Sequence, residues 1–528
     1  KNMFFKKNFI FFVLFYIFLI LLFTKIDYRF IEEFTCCQDD HDYYSHAETI
    51  AIDFDLNYSN QYEGYEEKRY YKNGVVAPKG FIGSGLLASP FLYIGNLFEN
   101  IISNKSFIFN YKILFYSLSA IFYFFLSIYL VYASIRLLQI KINLQFIFLL
   151  FLGSGVAYYA FERYSMTHIY EVFTTCLLIF ITTKFYTEKN NLDYFSFLIP
   201  IVTILAINVR WVNYHIFFIP FIVKFLFKDK IQNNNYLLKS KYFYFSYALS
   251  AGVFLLLNKY IYDIVTFNPV RIYGSSGRLD SFIEADTISL LKIVSTSMIQ
   301  ILFSEEFGIF WFSPIIFAGL AVLFYLLIFS SKEKFVGYLF LLILYGVPFG
   351  SVVLWQSTAS SYGYRYLYSL LPIALLVFVK WKSLRGNNLL NNYLLFFSIF
   401  GALSILFFET TPGTSLSENI NSFNVNERFS QPEYLTNYIA SFTEINSYLK
   451  IFTTSFLGVL FFKLISSFFQ IEEIISFLEK LNLPVNNQDF INFLYNIETI
   501  SLNQIILFLV VLLSIVLKYV SQIVKHDD

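Results

Sequence analysis

The sequence predicts an all-α integral membrane protein, a polytopic bundle of about 11–13 transmembrane helices. Three observations predict it. The 528 residues are 57% hydrophobic and only 14% charged, with a mean hydropathy of +0.58. A soluble core of this length cannot absorb so much apolar surface, so lipid must be the solvent for most of the chain. Apolar runs long enough, or nearly so, to cross hydrocarbon recur from end to end. The short loops between them collect Lys and Arg on one side.

The run at 8–24 follows Lys1, Lys6 and Lys7, and no small-residue cleavage site comes after it; it is expected to be an uncleaved first helix rather than a signal peptide. Runs at 108–135, 143–160, 168–187, 193–209, 211–227 and 242–262 predict the next helices, and those at 309–330, 335–354, 364–380, 391–408, 449–466 and 501–520 the rest. Phe81 to Leu97 is broken by Gly and Pro and is expected to enter the membrane edge without crossing. Residues 467–500 mix Glu with Phe and Ile in the manner of amphipathic segments lying on a membrane.

With a cytoplasmic N-terminus, the inward loops carry Arg136 and Lys141, Lys184 and Lys189, Lys224 to Lys241, Lys332 and Lys334, then Lys380, Lys382 and Arg385. The outer face receives Lys25 to Pro78, the stretch Glu162 to His168, Thr266 to Glu306, the tight Trp355 to Tyr364 connection and Glu409 to Tyr448. Neither a separate soluble domain nor an internal repeat is visible. The chain therefore divides into a transmembrane module, 1–410, that includes the acidic outer loop 25–78, and a part at 411–528 with an outer loop, an amphipathic segment and the last transmembrane helices.

Charge excludes some functions: 38 Lys and Arg against 37 Asp and Glu leave no global field for nucleic acid. The 68 Phe and 42 Tyr suit sugar-stacking surfaces, although AT-rich codon usage gives the same bias and accounts for it better. Cys36, Cys37 and Cys176 supply neither a disulfide framework nor zinc spacing.

Chemistry is expected where the outer loops meet the membrane. Asp39 and Asp40 follow the first apolar run closely, which holds a carboxylate pair at the interface, where one can act as a general base. Asp53-Phe54-Asp55 has the spacing of a divalent-ion site but no downstream partner, so no cofactor is expected, a divalent metal there being the minor reading. Cations on the same face are Lys79, Arg163, Arg210, Arg271, Arg278 and Arg365; each suits lipid phosphate, with interfacial anchoring an equal reading for Arg163 and Arg271. Arg365 stands out, because its polar loop runs directly into a helix and Gly363 allows close approach of backbone to a ligand. Trp355 serves either as a face for a sugar ring or as a member of the aromatic belt. His168 and Glu171 lie at i and i+3, and a polar contact supporting the first outer loop is expected of them rather than metal ligation.

Several segments in order, Asp39-Asp40-His41-Asp42-Tyr43, Asp53-Phe54-Asp55-Leu56, Pro78-Lys79-Gly80, Leu86 to Pro90, Tyr170-Glu171, Gly308 to Pro314 and Tyr362-Gly363-Tyr364-Arg365-Tyr366, resemble the GT-C superfamily of polyprenyl-phosphate-sugar-dependent glycosyltransferases, near its mannosyltransferase and aminoarabinose-transferase-like branch. The resemblance covers roughly residues 8–410. It departs from the family in having Cys37-Gln38-Asp39-Asp40 where many relatives have Asp-Gly-Asp-Glu, and Phe307 where a basic residue is common. It implies two interfacial helices in the first outer loop and inverting transfer, on the extracytoplasmic face of the cell membrane, from a polyprenyl-phosphate-sugar donor to a lipid, glycan or protein acceptor. Asp39 or Asp40 would deprotonate the acceptor, and Arg365 and Lys79 would hold the leaving phosphate, with Arg210 and Arg278 as further candidates. Tyr43, His168, Glu171, Trp355, Tyr362 and Tyr366 complete the expected substrate-binding set.

The rival reading is a flippase or transporter of lipid-linked glycans; it would place ionisable groups near mid-membrane in broken helices, whereas here they sit in loops at one face. A glycan polymerase or ligase would be expected to carry a large outer loop rich in Arg and His, and 266–306 is only moderately basic.

Overall fold

The computed structural model describes residues 38–480 except 64–69, 73, 102–110, 162, 189, 191, 232–236, 269, 274–285, 305–306, 356–361, 385–387, 408–433, 445–446, 449–450 and 452–455. The apolar runs at 8–24 and 501–520 lie outside the described residues, as does most of 411–528.

The described chain is mainly helical, and five of its helices are long and apolar enough to cross a membrane: Tyr111–Leu137, His168–Thr187, Leu192–Val209, Lys332–Val353 and Asn388–Phe407. In chain order, α1 (Gln38–Glu48) runs through a π-helical turn, Thr49–Asp53, to a hairpin of β1 (Tyr70–Lys72) and β2 (Val75–Ala77). The hairpin pairs Tyr70 with Ala77 and Lys72 with Val75. Next come α2 (Gly83–Ile101), α3 (Tyr111–Leu137), α4 (Leu144–Leu152), α5 (Val156–Phe161), α6 (His168–Thr187) and α7 (Leu192–Val209). A 3-10 segment, Trp211–Phe218, leads into α8 (Ile219–Leu226), followed by α9 (Lys241–Tyr262), α10 (Val270–Tyr273) and α11 (Thr287–Phe303). The second half holds α12 (Ile309–Phe312), α13 (Pro314–Ile328), α14 (Lys332–Trp355), α15 (Leu370–Leu384) and α16 (Asn388–Phe407), then α17 (Tyr434–Thr443), α18 (Phe456–Ser466) and α19 (Ile471–Lys480).

Helix α6 is the most enclosed of the five, with 83% of its apolar window buried. It packs on α3 and α7 and reaches α15, while α2 and α9 cover the outer sides of α3 and α7. Where lipid offers no hydrophobic drive between helices, small and hydroxyl residues set how closely they approach. Along α3, Ser119, Ser127 and Ser134 each turn the hydroxyl back onto a carbonyl three or four residues earlier, at 2.5, 2.6 and 2.7 Å, which satisfies a buried polar group without a partner helix. Ser119 also meets the Tyr170 hydroxyl of α6 at 2.7 Å.

Several expected spans differ in detail. The run at 143–160 breaks into α4 and α5 at Gly153-Ser154, where Gly153 lies directly against Ser398 of α16. The run at 211–227 begins as a 3-10 segment, and that at 309–330 breaks at Ser313, before Pro314 starts α13. Phe81 to Leu97 is not fragmented: α2 is continuous over 19 residues with Pro90 inside it. Among the described residues the first outer loop holds α1, its π-helical turn and a hairpin, with α2 following after it; residues 25–37 and 64–69 of that loop lie outside the described residues, and the expected pair of interfacial helices falls partly on them. The Thr266 to Glu306 stretch is not all loop, since it contains α11. In the expected amphipathic segment, α19 buries Ile471, Ile474 and Leu478 on one face.

The α4–α16 crossing rests on two glycines, because a Cβ at Gly401 would overlap the Gly153 carbonyl and one at Gly153 would overlap the Ser398 backbone. Gly401→Ala is therefore expected to cost about 1–3 kcal/mol by overpacking, read as a lower thermal-unfolding midpoint in detergent. An unchanged midpoint would refute this crossing.

Candidate functional site

The N-terminal turn of α1 carries Asp39 and Asp40, acidic residues that favour the positive end of the helix. Successive side chains on a helix diverge by about 100°, so two adjacent carboxylates enter different surroundings. Asp40 turns inward and is 1% exposed. Its Oδ2 accepts from Arg163 Nη2 at 3.0 Å and its Oδ1 from Arg163 Nε at 3.4 Å. The Ser165 hydroxyl donates to Oδ1 as well. Asp39 turns outward, with its side chain 54% exposed and Oδ2 3.9 Å from Arg365 Nη2.

Arg163 is buried against Asp40, so it is not an interfacial anchor. The pair fastens α1 to the loop between α5 and α6. Burial holds the Arg163 guanidinium against a desolvation cost, and the adjacent Asp40 carboxylate more than compensates, leaving the guanidinium's pKa raised.

A second buried cluster forms where α6 begins and α7 ends. Arg210 donates to the ring of His168 and to Glu171 Oε2, the latter at 3.3 Å. His168 Nδ1 stands 3.5 Å from the same carboxylate oxygen. The expected contact of His168 and Glu171 with the first outer loop is therefore replaced by a contact with Arg210. Nearby, Ser369 meets His215 Nε2 at 3.3 Å. The face of Arg210 is also occupied, its Cζ lying 4.1 Å from the centre of the Tyr366 ring. With Glu171, His168 and Tyr366 all engaged, Arg210 acts as a support within the bundle rather than an open phosphate ligand.

Arg365 opens a 3-10 turn, Arg365–Leu367. Gly363 ahead of it has φ +70°, a left-handed conformation that favours glycine, and a Cβ there would strike the Tyr368 hydroxyl. The close approach that Gly363 permits is thus to Tyr368. The Tyr362 carbonyl accepts from the Tyr368 hydroxyl at 3.0 Å and from Tyr159 at 3.1 Å. Tyr362 itself is buried, stacked on Tyr158 and edge-on to Phe307 and Phe312, which corrects its expected substrate-binding role: it is core. Phe307, which stands in place of the expected basic residue, fills that aromatic core. Arg365 has its side chain 13% exposed, rests 5.6 Å from the Tyr366 ring, and has a buried Nε without a hydrogen-bond partner.

The wall around α1 is a tyrosine and histidine network. His46 Nε2 donates to the Gly80 carbonyl at 2.7 Å, and its Nδ1 accepts from the Tyr58 hydroxyl at 2.7 Å. Tyr262 of α9 donates to the same carbonyl, and Tyr70 donates to the Tyr262 carbonyl at 2.6 Å. Tyr62 donates to Asp42 at 2.5 Å. Tyr43 lies over Gly80, where a Cβ would come within 2.6 Å of its ring, so Tyr43 packs the loop that presents half-buried Lys79. Sequence reading missed His46, Tyr58, Ser165 and Tyr262, whose roles come from partners far along the chain that no local pattern marks.

Asp53 accepts from Asn60 at 3.0 Å and Gln61 at 2.5 Å, and Asp55 accepts from Thr49 at 2.8 Å. These two acids therefore organise their own loop, and no cluster of metal-ligating residues occurs among the described residues. Arg271 is exposed. Arg278 lies outside the described residues, and Trp355 ends α14 with its side chain likewise outside them.

Two outcomes follow from the buried groups. Asp40→Asn leaves Arg163 charged and buried, and is expected to cost about 3–5 kcal/mol of stability; a thermal midpoint equal to wild type would contradict the pairing. Burial pushes the His46 pKa down from 6.5 to about 4, partly offset by its bond to Gly80. The unfolded chain thus takes up the proton first on acidification. The contribution of His46 is complete above about pH 6.5 and is lost as pH falls toward 4, at up to about 1.4 kcal/mol per pH unit. Unfolding midpoints across that range should show this slope in wild type and lose it in His46→Gln.

Compared with protein-family models, curated proteins and solved structures, the chain matches none.

Proposed function

We propose that this protein is a multi-pass membrane glycosyltransferase of GT-C type, moving a sugar from a polyprenyl-phosphate-linked donor to a hydroxyl of a lipid, glycan or protein acceptor on the extracytoplasmic face. The observation that carries the reading is the division of labour at one end of the bundle: a solvent-accessible carboxylate, Asp39, stands beside a guanidinium, Arg365, whose Nε is buried and uncommitted. A base and an anion holder at one end of the bundle are what sugar transfer from a lipid phosphate requires.

In this mechanism Asp39 accepts the proton of the acceptor hydroxyl as that oxygen attacks the anomeric carbon. The bond from that carbon to the phosphate oxygen breaks, and its electron pair leaves on the lipid phosphate, held by Arg365 with Lys79 as the second cation. Asp40 is a positioning residue, because Arg163 and Ser165 occupy its carboxylate and fix the first turn of α1. Arg210 and Tyr366 support Arg365 from behind. The chemistry assigns no step to a metal.

The location of the charges supports transfer over transport. His168 and Glu171 occupy the first turn of α6, and Arg210 follows the last turn of the antiparallel α7. Asp40, Arg163 and Arg365 lie in a helix start or in connections next to them. The buried charges thus gather at helix ends, not halfway along broken helices.

Purified protein in detergent is expected to transfer radiolabelled sugar from a synthetic polyprenyl-phosphate donor, and Asp39→Asn to lose at least about 100-fold in rate while keeping its thermal midpoint. Full activity in Asp39→Asn would remove the assigned base. Silence with every donor, together with passage of lipid-linked glycan across proteoliposomes, would replace the transferase reading with the flippase.

A further inference from the structure

The contact between Asp39 and Arg365 is too short for the proposed chemistry to occur across it. Their nearest atoms are 3.9 Å apart. An acceptor oxygen within hydrogen-bond reach of the base, the reacting carbon, and a phosphate oxygen within reach of the guanidinium together require a separation of roughly 8 Å or more. The arrangement seen is therefore closed.

Among the described residues, the two buried arginines near this contact are committed. Arg163 is engaged by Asp40 and Arg210 by Glu171 and His168, all buried. Arg365 holds a carboxylate only at the long limit of an ion pair, through one terminal nitrogen, while its Nε is buried with no partner. A guanidinium with a free donor inside and a loosely held anion outside is prepared to exchange that anion for a better one. A phosphate oxygen pair matches its fork more fully than a single distant carboxylate oxygen does.

We propose that Asp39 is a built-in competitor for the anion site at Arg365: the carboxylate closes over the guanidinium in the ligand-free protein, and an incoming phosphate group must displace it. Displacement and readiness are then one event, since the same exchange that seats the phosphate frees the Asp39 carboxylate for an acceptor. This deepens the function proposed above and rests on it for the role of the freed carboxylate; the competition itself does not. The ligand chemistry is a phosphate monoester or diester, whether free or carried by an isoprenoid lipid.

Equilibrium binding to purified full-length protein in detergent tests this, with inorganic phosphate in one arm and a short-chain isoprenyl phosphate in the other, and no sugar transfer measured. Because exposed ion pairs of this kind are worth a factor of roughly two to five, Asp39→Asn is expected to bind phosphate tighter than wild type by that factor. Arg365→Gln is expected to bind neither ligand. Tightening with both ligands supports a general phosphate site, and tightening with the isoprenyl phosphate alone supports a lipid-borne one. Equal or weaker binding by Asp39→Asn in both arms, or no binding by any form, overturns the proposal. Should Arg365→Gln fail to fold, the exposed Asp39 substitution still decides. A protein that shows this tightening yet transfers no sugar would refute the transferase reading and leave the competition standing.

Discussion

The buried pair of Asp40 and Arg163 is the interaction on which the arrangement of the site depends. Neither group tolerates an apolar interior alone. Together, with the Ser165 hydroxyl on the same carboxylate, they fix the first turn of α1 to the loop that precedes α6. Once Asp40 points inward, the helical geometry of α1 obliges Asp39 to point elsewhere, and the place it reaches is Arg365. The exposed carboxylate is thus oriented by its neighbour. Such a pair contributes little net stability compared with apolar packing, and its value lies in register: rotating α1 would strand both charges.

The same economy recurs where α6 begins and α7 ends. Arg210 is neutralised by Glu171 inside the bundle, and its flat face supports Tyr366, which also meets Arg365. Planar guanidinium groups suit this layered contact with an aromatic ring, which the point charge of a lysine does not. The result among the described residues is a graded series of arginines. Arg163 is fully paired, Arg210 is paired and stacked, and Arg365 is stacked with donor capacity left over. Of these three, Arg365 is the one with a buried donor that no hydrogen bond occupies.

Much of the helical framework was legible in the sequence, because apolar length is the dominant signal when lipid is the solvent. His168–Thr187 and Leu192–Val209 match their expected runs almost residue for residue. Breaks were less legible: Gly153-Ser154 reads as part of one apolar run and becomes a break because α16 crosses there. Hydropathy measures preference for lipid and carries no record of which helix approaches. The site divides in the same way. Asp39, Arg365 and the pairing of His168 with Glu171 came from local pattern, whereas the difference between Asp39 and Asp40 depends on Arg163, which is 123 residues away from Asp40. Tyr362 was misread for the same reason, since nothing local distinguishes a tyrosine that faces a ligand from one that stacks on Tyr158.

The hydrogen bonds around α1 tie this polar loop to distant parts of the chain. The Gly80 carbonyl accepts from both His46 and Tyr262, so one backbone oxygen joins α1 to the end of α9. Tyr70 extends the chain of bonds from the hairpin to the same end of α9. Tyrosine suits this work because its ring packs as an apolar body while its hydroxyl reaches a carbonyl. The high tyrosine content has a structural use here whatever its origin in codon bias: the hydroxyls of Tyr70, Tyr262, Tyr159 and Tyr368 each bond a backbone carbonyl. Against that bonded backbone Asp39 is the contrast: its side chain is exposed and its contact with Arg365 is long, the contact that an incoming phosphate is proposed to displace.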